Sequence, residues 1–286
     1  MRLGARRFRA ARLVFGHGTR NAGDEAAYLA LHALHLPPDA AAGAFDRPVG
    51  PRDARRVLTL FERRIRSRKP AAYLTREAWL GDFRFHVDER VVVPRSHIAG
   101  LLRENLAPWI PDRRAIKSVL DLCTGSGCLA VLIAHRFPGA RIDAADTSSA
   151  ALAVARMNVG KYRLSSRIRL IKSDLFSALG GKSYDLIISN PPYVTTAAMR
   201  RLPREYRLEP RSALAGGRDG LDEVRRILLQ APAHLNPGGL LVVEVGSGRR
   251  RLEHAFPRIA FTWPEGAEGD TVFVVEREEI RRALGR

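Results

Sequence analysis

A short polar motif interrupts an apolar stretch near the middle of the chain. The predicted strand Tyr184–Ser189 runs directly into Asn190-Pro-Pro-Tyr193. A planar nitrogen, in an amide or an exocyclic amine, is a poor nucleophile because its lone pair is delocalised. The Asn190 side-chain oxygen and the Pro191 backbone carbonyl can accept its N–H groups and orient that lone pair for reaction. The motif therefore indicates chemistry on a planar nitrogen.

The other residues of the motif suit the same chemistry. The prolines fix φ and offer no competing N–H, and Tyr193 can stack its ring on a planar substrate group. No ionisable base is needed, because the nitrogen becomes acidic only as its new bond forms. We therefore predict Asn190, Pro191, Pro192 and Tyr193 as catalytic residues. A purely structural explanation also exists, since prolines end strands and asparagine favours turns.

A second motif joins a predicted strand to a predicted helix in Val119–Ala130. Gly125, Gly127 and Ala130 fit the pattern G-x-G-x-x-G/A, in which glycines let the backbone approach a ligand closely. Asp146 ends the next predicted strand, where an acid can hold ribose hydroxyls. Alone, this pattern fits an NAD enzyme, an S-adenosylmethionine (SAM) enzyme or a plain turn. The chain has no GxxxxGK[ST] motif, which argues against a nucleotide triphosphatase.

Acidic residues near the strand ends favour the SAM enzyme. Asp121 lies inside the end of the first strand, where dehydrogenases usually keep an apolar residue and methyltransferases place an acid near the cationic methionine portion of SAM. Asp174 could meet the adenine amine, and Leu175 could pack against adenine. The pattern resembles class I SAM-dependent methyltransferases. The resemblance implies a SAM site formed by Asp121, Cys123, Thr124, Gly125, Ser126, Gly127, Asp146, Asp174, Leu175 and Asn190.

Short apolar strands alternate with helices after residue 112, which predicts a parallel sheet covered on both faces. We expect an α/β fold of the class I SAM-dependent methyltransferase type, a Rossmann-like doubly wound sheet with an antiparallel closing strand. The predicted strands are Ser118–Leu122, Arg141–Ala145, Ile168–Ile171, Tyr184–Ser189, Leu240–Val245 and a closing pair at Ile259–Trp263 and Thr271–Val275.

The first part of the chain has a different pattern. Asp24–His35 and the amphipathic Asp53–Lys69 predict helices. Phe83–Val87 alternates apolar and polar residues before Asp88-Glu-Arg90, a predicted turn, and indicates a β-hairpin. We expect an N-terminal helical substrate-recognition domain at 1–75, a hairpin and linker helix at 76–112, and a methyltransferase domain at 113–286.

Three N-terminal stretches carry a more specific resemblance: Phe15–Tyr28, Ala71–Trp79 and Val87–Val91. Through them, and over nearly its whole length, the chain resembles the glutamine N5-methyltransferases that modify translation proteins. The three stretches are similar to those of the branch that acts on ribosomal large-subunit protein three. The release-factor branch typically reads Ile-Pro-Arg-Pro-Glu-Thr-Glu where this chain has Val93-Pro-Arg-Ser-His-Ile-Ala99.

The resemblance implies an enzyme that methylates the side-chain amide nitrogen of a glutamine in a ribosomal large-subunit protein, with SAM as cofactor. Three alternatives remain open. The chain could be a release-factor glutamine methyltransferase, or a nucleic-acid methyltransferase that uses the same motif on an exocyclic amine. It could also be a ribosome-assembly binding module without catalytic activity.

Charge and composition limit the partners. The chain carries 48 Lys+Arg and 30 Asp+Glu, a net charge of +18, which would favour proximity to ribosomal RNA. A ribosomal protein substrate is itself usually basic, so docking would need specific acids such as Glu77 or Glu205. The two cysteines have no metal-site spacing, and we expect no metal. No apolar run suits a membrane span or a signal peptide, and we expect a cytoplasmic protein without membrane contact.

Overall fold

The computed structural model describes residues 1–37, 48–264 and 271–285. Its N-terminal part is helical. Its helices are α1 (Arg2–Ala10), α2 (Ala22–Ala33), α3 (Pro51–Ser67) and α4 (Ala71–Thr75). The Asn21 side chain caps α2 by accepting the N–H groups of Gly23 and Asp24. The rings of Phe8 and Phe61 meet edge to face, 5.2 Å apart, within a core that these helices form among themselves.

A β-hairpin follows, with strands β1 (Glu77–Leu80) and β2 (Phe83–His86) paired antiparallel. Its two-residue turn contains Gly81 at a φ of 57°, the positive value that tight hairpin turns require. The predicted hairpin is present, but Asp88-Glu-Arg90 is not its turn. That segment forms a separate turn, in which the Val91 N–H donates to the Asp88 carbonyl at 3.1 Å.

A six-stranded sheet forms the centre of the described part of the chain. Its strands are β3 (Ser118–Leu122), β4 (Arg141–Asp146), β5 (Ile168–Lys172), β6 (Tyr184–Ser189), β7 (Leu235–Glu244) and β8 (Val272–Glu276). They lie in the order β5-β4-β3-β6-β7-β8. Strands β3 to β7 are parallel, and β8 pairs antiparallel with β7. This confirms the predicted sheet with its antiparallel closing strand.

Two strand predictions differ from the structure by more than one residue. β7 begins at Leu235, earlier than the predicted Leu240, because Leu235 pairs with Tyr184 before an irregularity in the register. The predicted strand at Ile259–Trp263 contributes only an isolated bridge between Thr262 and Val274. The Phe261 N–H donates to the Ile259 carbonyl at 3.1 Å, so the backbone turns on itself there instead of pairing along the sheet.

Helices cover both faces of the sheet. They are α5 (Ile98–Arg103), α6 (Cys128–Arg136), α7 (Ser149–Lys161), α9 (Asp222–His234), α10 (Arg249–Ala255) and α11 (Arg277–Ala283). One further helix, α8 (Thr196–Arg201), follows β6 and has no buried residue. Alternate residues of each central strand point to opposite faces, so Val119 packs with the hairpin, α5, α6 and α7, whereas Leu120 packs with α9, α10 and α11.

The hairpin and the chain up to Ile110 share one apolar core with the sheet. The division of the chain into 1–75, 76–112 and 113–286 stays a prediction. Among the described residues, no helix is long and apolar enough to cross a bilayer, and no group of three or more His, Cys, Asp or Glu side chains could hold a metal ion.

Candidate active site

A cavity of about 370 Å³ opens at the edge of the sheet where the parallel strands end. Parallel strands bring their carboxyl ends together, and ligands bind beyond that edge in open α/β sheets. Two further segments contribute to the wall. They are Arg90–Ser96 and, in a later loop, Pro210, Ser212, Ala213 and Leu214. The predicted site residues that line the cavity are Cys123, Thr124, Gly125, Ser126, Asp146, Asp174, Leu175, Asn190, Pro191, Pro192 and Tyr193. Asp121 and Gly127 do not line it directly.

The turn after β3 is held in an unusual backbone conformation. Cys123, Gly125 and Gly127 have φ values of 59°, 55° and 75°. A Cβ on Gly127 would stand 3.1 Å from Cβ of Ala155 on α7, so only glycine allows this approach of turn and helix. Burial raises the pKa of the Cys123 thiol, and it raises that of Cys128 to about 12. Both thiols are therefore neutral.

Asp121 is a fully buried carboxyl group beneath this turn, with an exposure of 0%. Its Oδ2 accepts the Thr124 hydroxyl at 2.6 Å, and its Oδ1 has no hydrogen-bond partner. Burial raises the pKa of Asp121 to about 7, although the Thr124 hydrogen bond opposes the shift. A buried carboxyl oxygen without a partner is costly, and a cationic group beside it would remove that cost.

Asp146 is held by backbone groups on both sides. Its Oδ2 accepts the Gly125 N–H at 2.9 Å, and its Oδ1 accepts the Ser148 N–H at 2.8 Å. Burial raises its pKa, and these N–H groups partly counteract the rise. The carboxylate thus fixes the glycine turn and still has lone pairs free toward the cavity.

The loop after β5 brings Asp174 and Leu175 to the cavity in different ways. Leu175 is 4% exposed and has a φ of 48°. The Asp174 side chain is 57% exposed, and its Oδ2 lies 2.8 Å from the Arg226 guanidinium on α9. That hydrogen bond lowers the pKa of Asp174, so the group is ionised and directed at Arg226.

The motif after β6 is enclosed by a glycine-containing loop. The Val194 N–H donates to Leu214 O at 2.8 Å, and the Gly216 N–H donates to Val194 O at 2.9 Å. A Cβ on Gly216 would stand 2.6 Å from Pro192 O, and one on Gly246 would stand 2.7 Å from the Tyr193 ring. The two glycines let neighbouring backbone pack directly on the motif. Pro191 is buried, and Asn190 is partly exposed in the cavity.

Glu244, at the end of β7, holds the Tyr193 hydroxyl and was not predicted. Glu244 Oε1 accepts that hydroxyl at 3.1 Å, while Oε2 accepts the Ser96 hydroxyl at 2.6 Å and the His97 N–H at 3.0 Å. Burial and the Glu244 charge raise the pKa of Tyr193 well above its ordinary value, so the phenol stays protonated. A carboxylate at the carboxyl end of the neighbouring strand was the sequence signal for this contact.

Asn158, in the middle of α7, was also missed. It is fully buried, and its amide donates to the carbonyls of Ser126 and His86 at 2.9 and 3.0 Å. Its Oδ1 accepts the His86 N–H at 2.7 Å. One amide therefore joins the glycine turn to β2. A polar residue on the apolar face of a helix was the available signal.

A second buried carboxylate, Glu209, lies beneath the cavity wall. Its oxygens receive both terminal nitrogens of the Arg95 guanidinium, at 2.6 and 2.7 Å, and the Val93 N–H at 2.9 Å. His17 Nε2 lies 3.5 Å away. Burial alone would raise the pKa of Glu209, but His17 and Arg95 outweigh it and hold the pKa at about 2.

The N-terminal turn around His17 packs on the same segment. The His17 and Tyr206 rings have centroids 4.1 Å apart, and a Cβ on Gly16 would stand 2.2 Å from the Tyr206 hydroxyl oxygen. His17 thus packs the N-terminal turn against the segment that contains Tyr206 and Glu209.

Glu205 is fully buried, so the prediction that it is a docking acid is wrong. Its Oε1 lies 2.7 Å from the Arg68 guanidinium and accepts the Val14 N–H at 3.2 Å. Arg64, also fully buried, donates to Glu25 at 2.7 Å and lies 4.0 Å from Glu205. These charges tie α2 and α3 to the segment after Tyr193. Exposure could not be inferred from the sequence.

Comparisons with known proteins agree with this geometry. The methyltransferase small domain model matches residues 101–203. Proteins named ribosomal protein uL3 glutamine methyltransferase are similar over almost the whole chain. The one from Bordetella pertussis is 52% identical over 98% of this chain and 94% of its own length. That from Burkholderia pseudomallei is 49% identical, with coverage of 98% and 94%, and that from Bradyrhizobium diazoefficiens is 45% identical, with coverage of 96% and 88%.

A solved structure shows a similar fold at low identity. The hMettl16 catalytic domain, in complex with MAT2A 3'UTR hairpin 6, aligns with a TM-score of 0.51 and 18% identity. The alignment covers 78% of this chain and 81% of that one. At this identity the likeness concerns the fold alone.

Proposed function

This chain belongs to the family of ribosomal protein uL3 glutamine methyltransferases, as its N-terminal motifs predict, and we propose that it methylates a glutamine side chain of uL3. SAM is the proposed methyl donor, and the amide nitrogen N5 is the proposed acceptor. The observation that carries the proposal is that the glycine turn and Asn190-Pro-Pro-Tyr193 line the same cavity. Because ribosomal proteins are made and assembled in the cytoplasm, we place the reaction there.

Several features of the chain fit SAM. The unpartnered Oδ1 of Asp121 suits a cationic ligand, and the Asp146 carboxylate suits ribose hydroxyls. Leu175 offers apolar surface to adenine, and the turn Cys123–Gly127 forms the adjoining wall. Bound SAM would supply an electrophilic methyl group on a sulfonium. The adenine contact predicted for Asp174 would require its carboxylate to leave Arg226.

The motif after β6 would position the nucleophile. The Asn190 side-chain oxygen and the Pro191 carbonyl accept the two N–H groups of the glutamine amide, which directs the nitrogen lone pair into the cavity. As positive charge develops on the nitrogen, these fixed oxygens stabilise it, and the proton can leave late without a dedicated base. Pro192 keeps the peptide rigid, and Glu244 fixes Tyr193 so that its ring can pack against the planar amide.

The direct test is methyl transfer from labelled SAM to purified uL3, followed by mass mapping of the labelled peptide. We expect one methylated glutamine in uL3. The two enzymatic alternatives are tested by offering release factors and protein-free ribosomal RNA, separately, as methyl acceptors. Label in a release factor but not in uL3 would contradict the substrate, and label in RNA would indicate an exocyclic-amine methyltransferase. Failure to bind SAM in calorimetry would indicate a binding module without catalytic activity.

A further inference from the structure

The segment 195–213, which follows the catalytic motif, separates its charges between inside and outside. Its charged residues are five arginines and two glutamates. Glu205 and Glu209 are 0% and 4% exposed and face inward to their ion pairs. All the arginines are exposed: Arg200, Arg201, Arg204, Arg207 and Arg211. The outward face therefore carries positive charge with no acid of the same segment beside it.

These arginines stand close in the chain to residues that line the cavity. Leu202, Tyr206 and Pro210 line it from the same segment, and the arginines are interspersed among them. The Arg207 guanidinium donates to the Leu202 carbonyl at 2.8 Å and thus helps to hold the segment's shape. Arg200, Arg201, Arg204 and Arg211 form no ion pair with any described residue. A macromolecule whose glutamine enters the cavity would pass beside these four side chains.

The surface lacks what a protein partner usually needs. Arginines that anchor protein interfaces usually work together with tryptophan or tyrosine in a desolvated centre. None of the large exposed apolar side chains among the described residues falls within 195–213. Arginines without such anchors suit phosphate oxygens, which their planar guanidinium groups bind through two N–H donors. A free ribosomal protein, usually basic, would be repelled by this surface.

We propose that Arg200, Arg201, Arg204 and Arg211 contact the phosphate backbone of RNA at the entrance of the active site. The identity of that RNA rests on the proposed function: it is the ribosomal RNA to which the substrate protein is bound when its glutamine is methylated. The same surface that repels the free substrate then attracts the complex, which reconciles the net charge of +18 with a basic substrate protein.

The test measures RNA affinity by fluorescence anisotropy, with a labelled large-subunit rRNA fragment and salt varied from about 50 to 200 mM. The variant is Arg200→Gln/Arg201→Gln/Arg204→Gln, which leaves Arg207 and the cavity lining intact. Each phosphate contact contributes roughly 0.7 to 0.9 to the slope of log affinity against log salt, so the slope should fall by about 2 to 3. Affinity at the lowest salt should fall at least about tenfold.

A matched variant separates location from net charge. Arg113→Gln/Arg114→Gln/Lys117→Gln also removes three exposed positive charges, just before β3 and hence at the opposite edge of the sheet from the cavity. We expect it to bind RNA nearly as the unmodified protein does. Equal weakening by both variants would overturn the proposal, because binding would then depend on net charge alone. Equal competition by RNA and by polyglutamate of the same charge would overturn the assignment to RNA.

Methylation of uL3 alone and of uL3 bound to rRNA, in parallel, distinguishes this inference from the proposed function. The inference predicts a higher kcat/KM for the RNA-bound substrate, lost in the Arg200 variant and kept in the Arg113 variant. Equal kcat/KM for the two forms would overturn it while leaving the function intact. RNA binding that depends on Arg200, Arg201 and Arg204 without methylation of either form would contradict the proposed function instead.

Discussion

The two halves of the cavity are built by different means. The half around the glycine turn is formed by strand ends and by local hydrogen bonds, such as the one from the Gly125 N–H to the Asp146 carboxylate at the end of the neighbouring strand. The half after β6 is held by buried charges, in which Glu209 bonds to Val93, 116 residues away, and Glu205 bonds to Val14, 191 residues away. The first half thus depends mainly on the sheet and on the hairpin that Asn158 joins to it, whereas the second depends on more distant parts of the chain, including the N-terminal helices.

This difference predicts that changes in one half leave the other working. Asn190→Ala should have the largest effect, because it removes an acceptor that holds the nucleophile. We expect kcat to fall by about 10²–10³-fold, the usual loss for one such group. SAM affinity, measured by calorimetry, should stay within about twofold, because the other residues of the predicted SAM site, among them Asp121 and Asp146, are unchanged. An unchanged kcat would remove Asn190 from the chemistry.

Glu209→Gln should lower the stability of the half of the cavity after β6. It leaves the Arg95 guanidinium without its ion pair, and we expect a loss of about 2–3 kcal/mol in the free energy of unfolding. This is below the cost for a fully buried pair because the Arg95 side chain is 27% exposed. Urea unfolding measures the loss.

Acid titration gives a second measurement for Glu209. Its pKa is lowered from 4.5 to about 2, so its stabilisation is complete above 4.5 and disappears as pH falls toward 2. The free energy of unfolding of the Glu209→Gln variant should not show this decrease between pH 4.5 and pH 2. Arg90→Gln, which breaks a more exposed ion pair with Asp88, is the control for urea unfolding at neutral pH and should cost less. In acid it also changes the profile, because Arg90 lowers the pKa of Asp88 to about 2. Equal losses would contradict a special role for the buried pair.

SAM binding in the half of the cavity around the glycine turn should depend on pH through Asp121. Its pKa is raised from 3.8 to about 7, so ionisation costs more in the folded protein, and its contribution to stability falls as pH rises between these values. A cationic ligand needs the ionised form. SAM affinity should therefore rise up to about tenfold between pH 6 and pH 8.

Asp121→Asn should weaken SAM binding, flatten this pH dependence and make the ligand-free protein more stable at pH 8. Asp174→Asn is the control, because Asp174 is already ionised over this range. The same slope in Asp121→Asn as in the unmodified protein would show that Asp121 does not face the ligand's charge.

Gly127→Ala should have the smallest effect, about 1–2 kcal/mol of destabilisation. The new Cβ meets Ala155 at 3.1 Å, and the φ of 75° strains any residue with a Cβ. Gly160→Ala, on α7 with nothing within 4 Å of its Cβ, should instead stabilise by about 0.5–1 kcal/mol. Thermal unfolding compares them. Equal shifts for the two variants would mean that the turn tolerates a side chain.

The same contrast explains what could be predicted from the sequence. Strands β3 and β6 have the predicted bounds, and the glycine turn and the catalytic motif line one cavity, because strand, turn and helix follow one another locally. The hairpin turn was misplaced because two candidate turns, at Gly81 and at Asp88, lie close together. A local pattern cannot decide which one the sheet pairing uses.

The half of the cavity after β6 was harder to predict because the burial of a charge depends on distant partners. Glu205 and Glu209 stand among arginines in the sequence and look like part of a solvated surface. Their partners, Arg68 and Arg95, come from segments that the fold alone brings near. Glu244 was missed although it stands near the end of a predicted strand, because only the pairing of β6 with β7 brings it close to Tyr193.

The ion pairs of Glu205 and Glu209 also limit how the molecule can be re-engineered. Exchanging the N-terminal helices for those of another methyltransferase would separate Arg64 and Arg68 from Glu205, and His17 from Glu209. A chimera that exchanges the N-terminal helices must therefore exchange 202–210 with them. The two segments have to be inherited as one unit, even though they lie far apart in the chain.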